Sequence, residues 1–151
     1  VSFVMSANAG EAIGPISRIA SGGELSRIML ALKNVFAEKD GVDALIFDEI
    51  DTGVSGVAAQ RVAEKLASLG RTKQVLCVTH LPQIAAMAQQ QYLVEKAEHG
   101  GRTYTNIRLL DREGRRYELA RLSGGDMITD IQLAGAEELL ARDERFRASL
   151  S

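Results

Sequence analysis

Ala44-Leu45-Ile46-Phe47-Asp48-Glu49 is the stretch that decides the fold. Four consecutive apolar residues closed by two carboxylates predict a short strand buried on both faces, as in a parallel sheet. After it, Thr52 to Gly56 reads as a Gly-containing loop. Val57 to Leu69 then reads as a helix with Ala58, Val62, Leu66 and Leu69 on its inner face, and Gly70 as its C-cap. Gln74 to Thr79 is a second buried strand, ended by His80, and Cys77 lies within it. Leu81 to Ala88 follows as a helix with Pro82 in its first turn, where proline is tolerated. Upstream, Leu25, Ile28, Met29, Leu32, Val35 and Phe36 recur at three- and four-residue steps and predict an amphipathic helix ended by Lys39-Asp40-Gly41. This alternation of strands and helices predicts an α/β layered fold with a largely parallel sheet.

The two ends of the chain are less regular. Val1 to Ser6 reads as a short strand, and Ala7 to Ser17, with Asn8, Gly10, Gly14 and Pro15, as a loop. Tyr92 to Ala97 and Thr103 to Leu110 predict a hairpin joined at His99-Gly100-Gly101, with His99 a solvated tip residue. Helices are expected at Tyr117 to Leu122 and at Asp130 to Ala141. Ser123-Gly124-Gly125-Asp126 reads as a turn.

Composition excludes several classes. The 151 residues are 46% hydrophobic and 25% charged, an ordinary globular balance rather than a disordered tail. Such a length suggests one compact unit. No apolar run reaches the roughly 18 residues needed to span a bilayer. The single cysteine excludes an internal disulfide framework and suggests a reducing compartment. A net charge of −2 gives no bulk signal for nucleic acid. Six arginines fall between Arg102 and Arg121, against Asp111, Glu113 and Glu118. That run can meet DNA phosphates, although a charge run is more often a solvated face. The chain begins at Val1, as expected of a piece of a longer protein.

Three groups carry candidate chemistry. Ligands of open α/β sheets bind at the carboxyl ends of strands. Asp48 there can hold Mg²⁺, and Glu49 can deprotonate an attacking water, as phosphoryl transfer requires; a merely acidic, solvated strand end is the alternative. Ser21-Gly22-Gly23-Glu24 opens a helix and offers backbone N–H groups to an anion. It reads equally as an N-cap with a capping box. His80 ends its strand on the expected side of Asp48 and Glu49; a structural histidine is the plain reading.

In combination the motifs are more specific. SGGELSRIMLALK from Ser21, LIFDEIDTGVSG from Leu45 and QVLCVTHLPQIAAMA from Gln74 resemble the C-terminal half of the ABC-type ATPase head of SMC-like proteins, in particular those of bacterial double-strand-break repair. The likeness runs from about Ser2 to about Leu140. It implies that residues 1–151 form half of a layered ABC-ATPase-like head, with flanking helices and a C-terminal hairpin. By the same resemblance Ser21, Gly22 and Gly23, with Glu24, are the signature motif contacting the γ-phosphate held by an opposite head. Asp48 is the Walker B metal ligand, Glu49 the catalytic glutamate and His80 the switch histidine. Asp51 to Gly56 is the D-loop, with Asp51 and Ser55 at the head–head interface; Ser55 stands where many members carry Asp, so no carboxylate role is carried over to it. ATP and Mg²⁺ are the implied cofactors. The implied partners are the N-terminal half of the same head, a second head joined by ATP, and DNA, in the bacterial cytoplasm and nucleoid without a membrane. ATP hydrolysis in DNA repair and recombination is the implied activity; a non-hydrolytic head clamp on DNA is the rival. No G-x-x-x-x-G-K-[ST] occurs in the sequence, so the phosphate-cradling lysine loop is expected from another segment.

Overall fold

A computed structural model describes residues 3–6, 10, 12–37, 39, 41–99, 101–125 and 127–150. The chain divides into two compact units, one up to Thr79 and one from His80 onward.

The first unit begins with β1 (Val4–Met5), which pairs antiparallel with β2 (Gly14–Pro15), followed by the short helix α1 (Ile16–Ile19). The stretch from Ala7 to Ser17 is therefore not all loop. Its elements are only a few residues long and leave no periodicity to read. Helix α2 (Gly22–Phe36) runs into β3 (Ala44–Phe47), helix α3 (Gly56–Leu69) and β4 (Gln74–Cys77). β3 and β4 pair parallel in register, Ala44 beside Gln74 through Phe47 beside Cys77. The chain bond continues one step past the strands, where Val78 N–H donates to the Phe47 carbonyl at 2.9 Å.

α2 packs on α3. The core of this unit is Leu30, Phe47, Ile50, Ala59, Ala63, Leu66 and Leu69. Burying a side chain such as Ile50 or Leu69 contributes about 1.5–3 kcal/mol each. Leu66 and Leu69 of α3 are buried as expected, but Ala59 and Ala63 complete the face, one residue round from the expected Ala58 and Val62. Small alanines are what a closely approached helix face takes. The expectation that β3 is buried on both faces is also corrected. Phe47 is buried, but Ile46 is 75% exposed and its neighbour Leu76 is 48% exposed. Among the described residues, β3 has β4 as its sheet partner and nothing covers that second face.

The second unit holds α4 (Pro82–Met87), the hairpin β5 (Tyr92–His99) and β6 (Arg102–Leu109), α5 (Arg112–Gly124) and α6 (Asp130–Ser149). The hairpin keeps register from Tyr92 beside Leu109 to His99 beside Arg102. Gly101 takes φ +73° at its turn, a conformation glycine adopts without steric cost. The His99 side chain lies outside the described residues. Three helices share a core of Ala85, Ala86, Leu119, Ala120, Ala136 and Leu140.

α5 starts five residues before the expected Tyr117. Asp111 caps it, its carboxylate accepting from Gly114 N–H at 2.8 Å. It ends at Gly124, so Ser123 and Gly124 are the last helical turn rather than a free turn; Gly125, at φ +83°, closes it. α6 opens on a capping box between Thr129 and Gln132 and runs eight residues beyond the expected Ala141.

The arginine run is mostly spent inside this unit. Arg112 bridges Glu137 at 2.6 Å and Glu144 at 2.7 Å, tying α5 to α6. Arg108 pairs with Glu95, Arg116 with Glu113, and Arg121 with Glu118. Arg115 is buried against backbone carbonyls. Burial, and then the cation of Arg147, push the Arg115 guanidinium below its ordinary value. No helix among the described residues is long and apolar enough to cross a membrane.

Candidate functional site at the end of β3

α2 runs antiparallel to the strand that follows it, so its N-terminus returns to the carboxyl end of β3. Ser21 caps α2 and shares a full capping box with Glu24. The Ser21 N–H and hydroxyl both donate to Glu24 Oε2, at 2.8 and 2.9 Å, and Glu24 N–H donates back to Ser21 Oγ at 3.4 Å. These two bonds, the backbone one first, hold the Glu24 carboxyl below its ordinary value. The capping-box reading of Ser21 and Glu24 is thus what the structure shows.

Beyond Phe47 the chain turns sharply. Asp48 is exposed, and its Oδ1 accepts the Glu49 N–H at 2.9 Å. Glu49 stands at φ +56°, the only non-glycine residue with positive φ among those described. The turn then closes with Thr52 N–H donating to the Glu49 carbonyl at 3.1 Å.

Gly22 and Gly23 meet this turn directly. A Cβ on Gly22 would lie 2.5 Å from Glu49 Oε2. A Cβ on Gly23 would lie 2.9 Å from the carbonyl oxygens of both Glu49 and Thr52. Two further side chains of α2, to which the sequence reading gave no role, fasten the helix to the loop. Ser26 Oγ donates to the Asp48 carbonyl at 2.9 Å; Arg27 Nη1 donates to the carbonyls of Ile50 at 3.2 Å and Thr52 at 2.7 Å. Both lie inside the quoted SGGELSRIMLALK string, five and six residues past the cap, where no local signal marks them as loop contacts.

Asp51 is 4% exposed and accepts from Thr79 Oγ1 at 2.7 Å, so it holds the loop to the residues after β4 from inside. Ser55 is exposed at the N-cap of α3, and its side chain makes no cap hydrogen bond. Cys77, on β4, has its thiol pushed up to about 12 by burial and by the carboxylates of Asp51 and Asp48. His80 is exposed and opens the second unit.

Seven of the nine candidate residues thus gather on one unit around the carboxyl end of β3: Ser21, Gly22, Gly23, Glu24, Asp48, Glu49 and Asp51. Among the described residues no three His, Cys, Asp or Glu side chains form a metal-binding group. A single exposed carboxylate nevertheless suits Mg²⁺, which is commonly held by one or two carboxylates together with substrate phosphates and water.

The fold is of the kind found in SMC ATPases. A solved SMC ATPase structure matches with a TM-score of 0.52 over 79% of this chain and 71% of its own, at 17% sequence identity. In sequence, the particular protein that the chain resembles is RecN. It is 49% identical over 140 residues to the DNA repair protein RecN of Halalkalibacterium halodurans, covering 93% of this chain and 25% of that protein. It is 43% identical over 149 residues to RecN of Bacillus subtilis, covering 99% and 26%. It is 49% identical over 140 residues to RecN of Vibrio cholerae, covering 93% and 25%. The chain therefore spans about a quarter of the length of these relatives. No protein-family model matches it.

Proposed function

We propose that this chain is the Walker B and signature-motif portion of an ATP-hydrolysing head, in a RecN-like protein of DNA double-strand-break repair and recombination. The observation that carries the reading is the meeting of Asp48-Glu49, at the end of a parallel strand, with the glycine-opened N-terminus of α2. Asp48 would hold Mg²⁺, which when bound neutralises charge on the phosphates of ATP. Glu49 takes the proton of the attacking water. His80 hydrogen-bonds the γ-phosphate. Ser21, Gly22, Gly23 and Glu24 present a helix N-terminus to the nucleotide of an opposite head. Ser55 lies on the exposed loop side, where that head would approach, and Asp51 shapes the loop from within. The second head, the lysine-loop half of the same head, and DNA are the partners in this reading, and the bacterial cytoplasm and nucleoid its location. The SMC ATPase match, from a structure described for ATP-driven dimerization, supports head pairing of this kind.

The test uses the full-length protein with ATP, Mg²⁺ and DNA. Phosphate release is expected, and Ser21→Arg is expected to leave ATP binding to one head intact while abolishing ATP-dependent dimers in size-exclusion runs. No phosphate release from the wild-type protein would favour the non-hydrolytic clamp. Dimers surviving in Ser21→Arg would remove the signature assignment.

A further inference from the structure

α4 begins two residues after His80 and has six residues. So short a helix has no stability of its own. Its start is fixed by Leu81, whose carbonyl accepts the N–H groups of Ile84 and Ala85, both at 3.1 Å. Its other end is fixed by two arginines that reach it from two different helices. From α5, Arg115 Nη2 donates to the carbonyls of Ala86 at 3.1 Å and Ala88 at 2.8 Å, with a longer contact to Ala85 at 3.4 Å. From α6, Arg147 Nη1 donates to the carbonyls of Ala86 at 3.2 Å and Met87 at 3.0 Å. Four successive carbonyls at the negative end of the helix are thus met by guanidinium groups, the sign that the peptide dipoles favour.

This arrangement is expensive for packing alone. Arg115 is only 8% exposed, and its guanidinium is bonded to Gln91 and to carbonyls, with the cation of Arg147 sharing the Ala86 oxygen. Apolar side chains of similar volume commonly stabilise such a place as well or better. What they do not provide is direction. A planar fork hydrogen-bonded to successive carbonyls fixes both the rotation and the axial position of α4. A helix of six residues is about 9 Å long, so fixing its end also fixes Leu81 and the residue before it.

We infer that Arg115 and Arg147 are positioning residues for His80, which hold the histidine turn in place through α4. The inference rests on the proposed reading of His80 as a group that acts on the nucleotide. It makes the last helix of the chain, remote in sequence, a determinant of turnover.

The experiment uses the full-length protein with Arg147→Ala, Arg147→Lys, Arg115→Lys and His80→Ala, and Arg145→Ala as a control on the exposed side of α6. Hydrolysis kinetics are read beside hydrogen exchange of residues 80–88. In Arg147→Ala, kcat for ATP falls about 10- to 100-fold, as expected of a misplaced group, with KM within about twofold. Exchange of the 80–88 amides rises while α3 keeps its protection. Arg147→Lys restores part of both, and Arg145→Ala changes neither. Should Arg147→Ala melt below the assay temperature, the two lysine variants carry the test, with a smaller fall in kcat and faster exchange over the same segment. Unchanged exchange over 80–88 in the folded arginine variants overturns the clamp. So does full kcat in those variants when His80→Ala has lost hydrolysis. Full turnover in His80→Ala overturns the reading of the histidine, and this inference with it.

Discussion

Glu49 carries the sharpest local conflict between backbone and side chain. A left-handed backbone costs a non-glycine residue roughly 1–2 kcal/mol. Glycine at this position would remove that cost, but it has no carboxylate. The strain is held by bonds on both sides, from Glu49 N–H to Asp48 and from Thr52 N–H to Glu49. Glu49→Gln preserves the shape and should leave ATP bound by the full-length protein. It should slow hydrolysis about 10²- to 10⁴-fold, the usual cost of losing a general base; single-turnover assays check this, and full turnover moves the base elsewhere. The two glycines facing this turn should respond differently. At Gly23 an added Cβ meets two backbone oxygens at 2.9 Å, which cannot step aside. Gly23→Ala should lower stability by about 1–3 kcal/mol, against the gain of helix propensity that alanine usually brings. At Gly22 the obstacle is the flexible end of Glu49, so Gly22→Ala should fold, with the carboxylate displaced. Thermal melts of the pair separate the two cases. Cys77 gives a third residue-scale test. With its thiol near 12 instead of 9.0, the thiolate fraction at pH 8 is about a thousandfold smaller, and thiolate is the reactive form. Iodoacetamide should label the native chain far more slowly than the urea-unfolded chain; equal rates would show that the thiol is not shielded.

At the scale of elements, the α2 cap links stability to pH. The folded Glu24 carboxyl lies below its ordinary value of 4.5. Its contribution is therefore fully present above pH 4.5 and is lost as the pH falls through the lower folded value. Wild-type and Glu24→Gln melts followed by circular dichroism should differ at pH 7, with the gap shrinking as the pH falls below 4.5 through the lowered folded value; a constant gap would mean that the charge does not matter. This cap was legible in the sequence, because Ser-x-x-Glu before an apolar stripe has one strong local solution. So were β3, β4 and the hairpin, whose apolar runs and glycine turn need no distant partner to be recognised. The arginine-rich start of α5 was not legible. Arg112, Glu113, Arg115 and Arg116 show no apolar stripe, and their helix is held by Glu137, Glu144 and the carbonyls of α4, all far along the chain. The offset face of α3 was missed for a related reason. Valine looks more buried than alanine until a neighbouring helix approaches closely enough to require alanine. Of the candidate site, Asp48, Glu49 and the glycines could be named from sequence. The fastening by Ser26, Arg27 and Thr79 could not, because each grips a backbone carbonyl or a buried carboxylate that only the folded loop presents.

On the scale of the whole molecule, the first unit is unfinished as a sheet and as a site. Ile46, Leu76 and Val78 are exposed, and among the described residues the parallel pair β3–β4 has no third strand. Parallel sheets are ordinarily covered on both faces, and an exposed apolar face with open strand edges invites association. The chemistry is incomplete in the same way. The sequence supplies Asp48, Glu49 and His80 but no lysine loop to cradle phosphates. In the proposed reading its Ser21-Gly22-Gly23 motif serves the nucleotide of an opposite head. Two copies of this chain lack the same part, so mixing them completes nothing. Residues 1 to 151 alone should therefore show negligible ATPase activity and at most weak affinity for ATP. They should also self-associate, and become more soluble and more stable when co-expressed with the remaining three-quarters of a RecN-like protein, to which the matched relatives owe their greater length. The check is titration of the purified fragment with labelled ATP and Mg²⁺ beside a phosphate-release assay, and light scattering with and without the co-expressed segment. Micromolar ATP binding with steady phosphate release would mean that these residues hold a complete site of their own. A monomeric fragment, unchanged by the added segment, would mean that the open face of β3–β4 needs no cover.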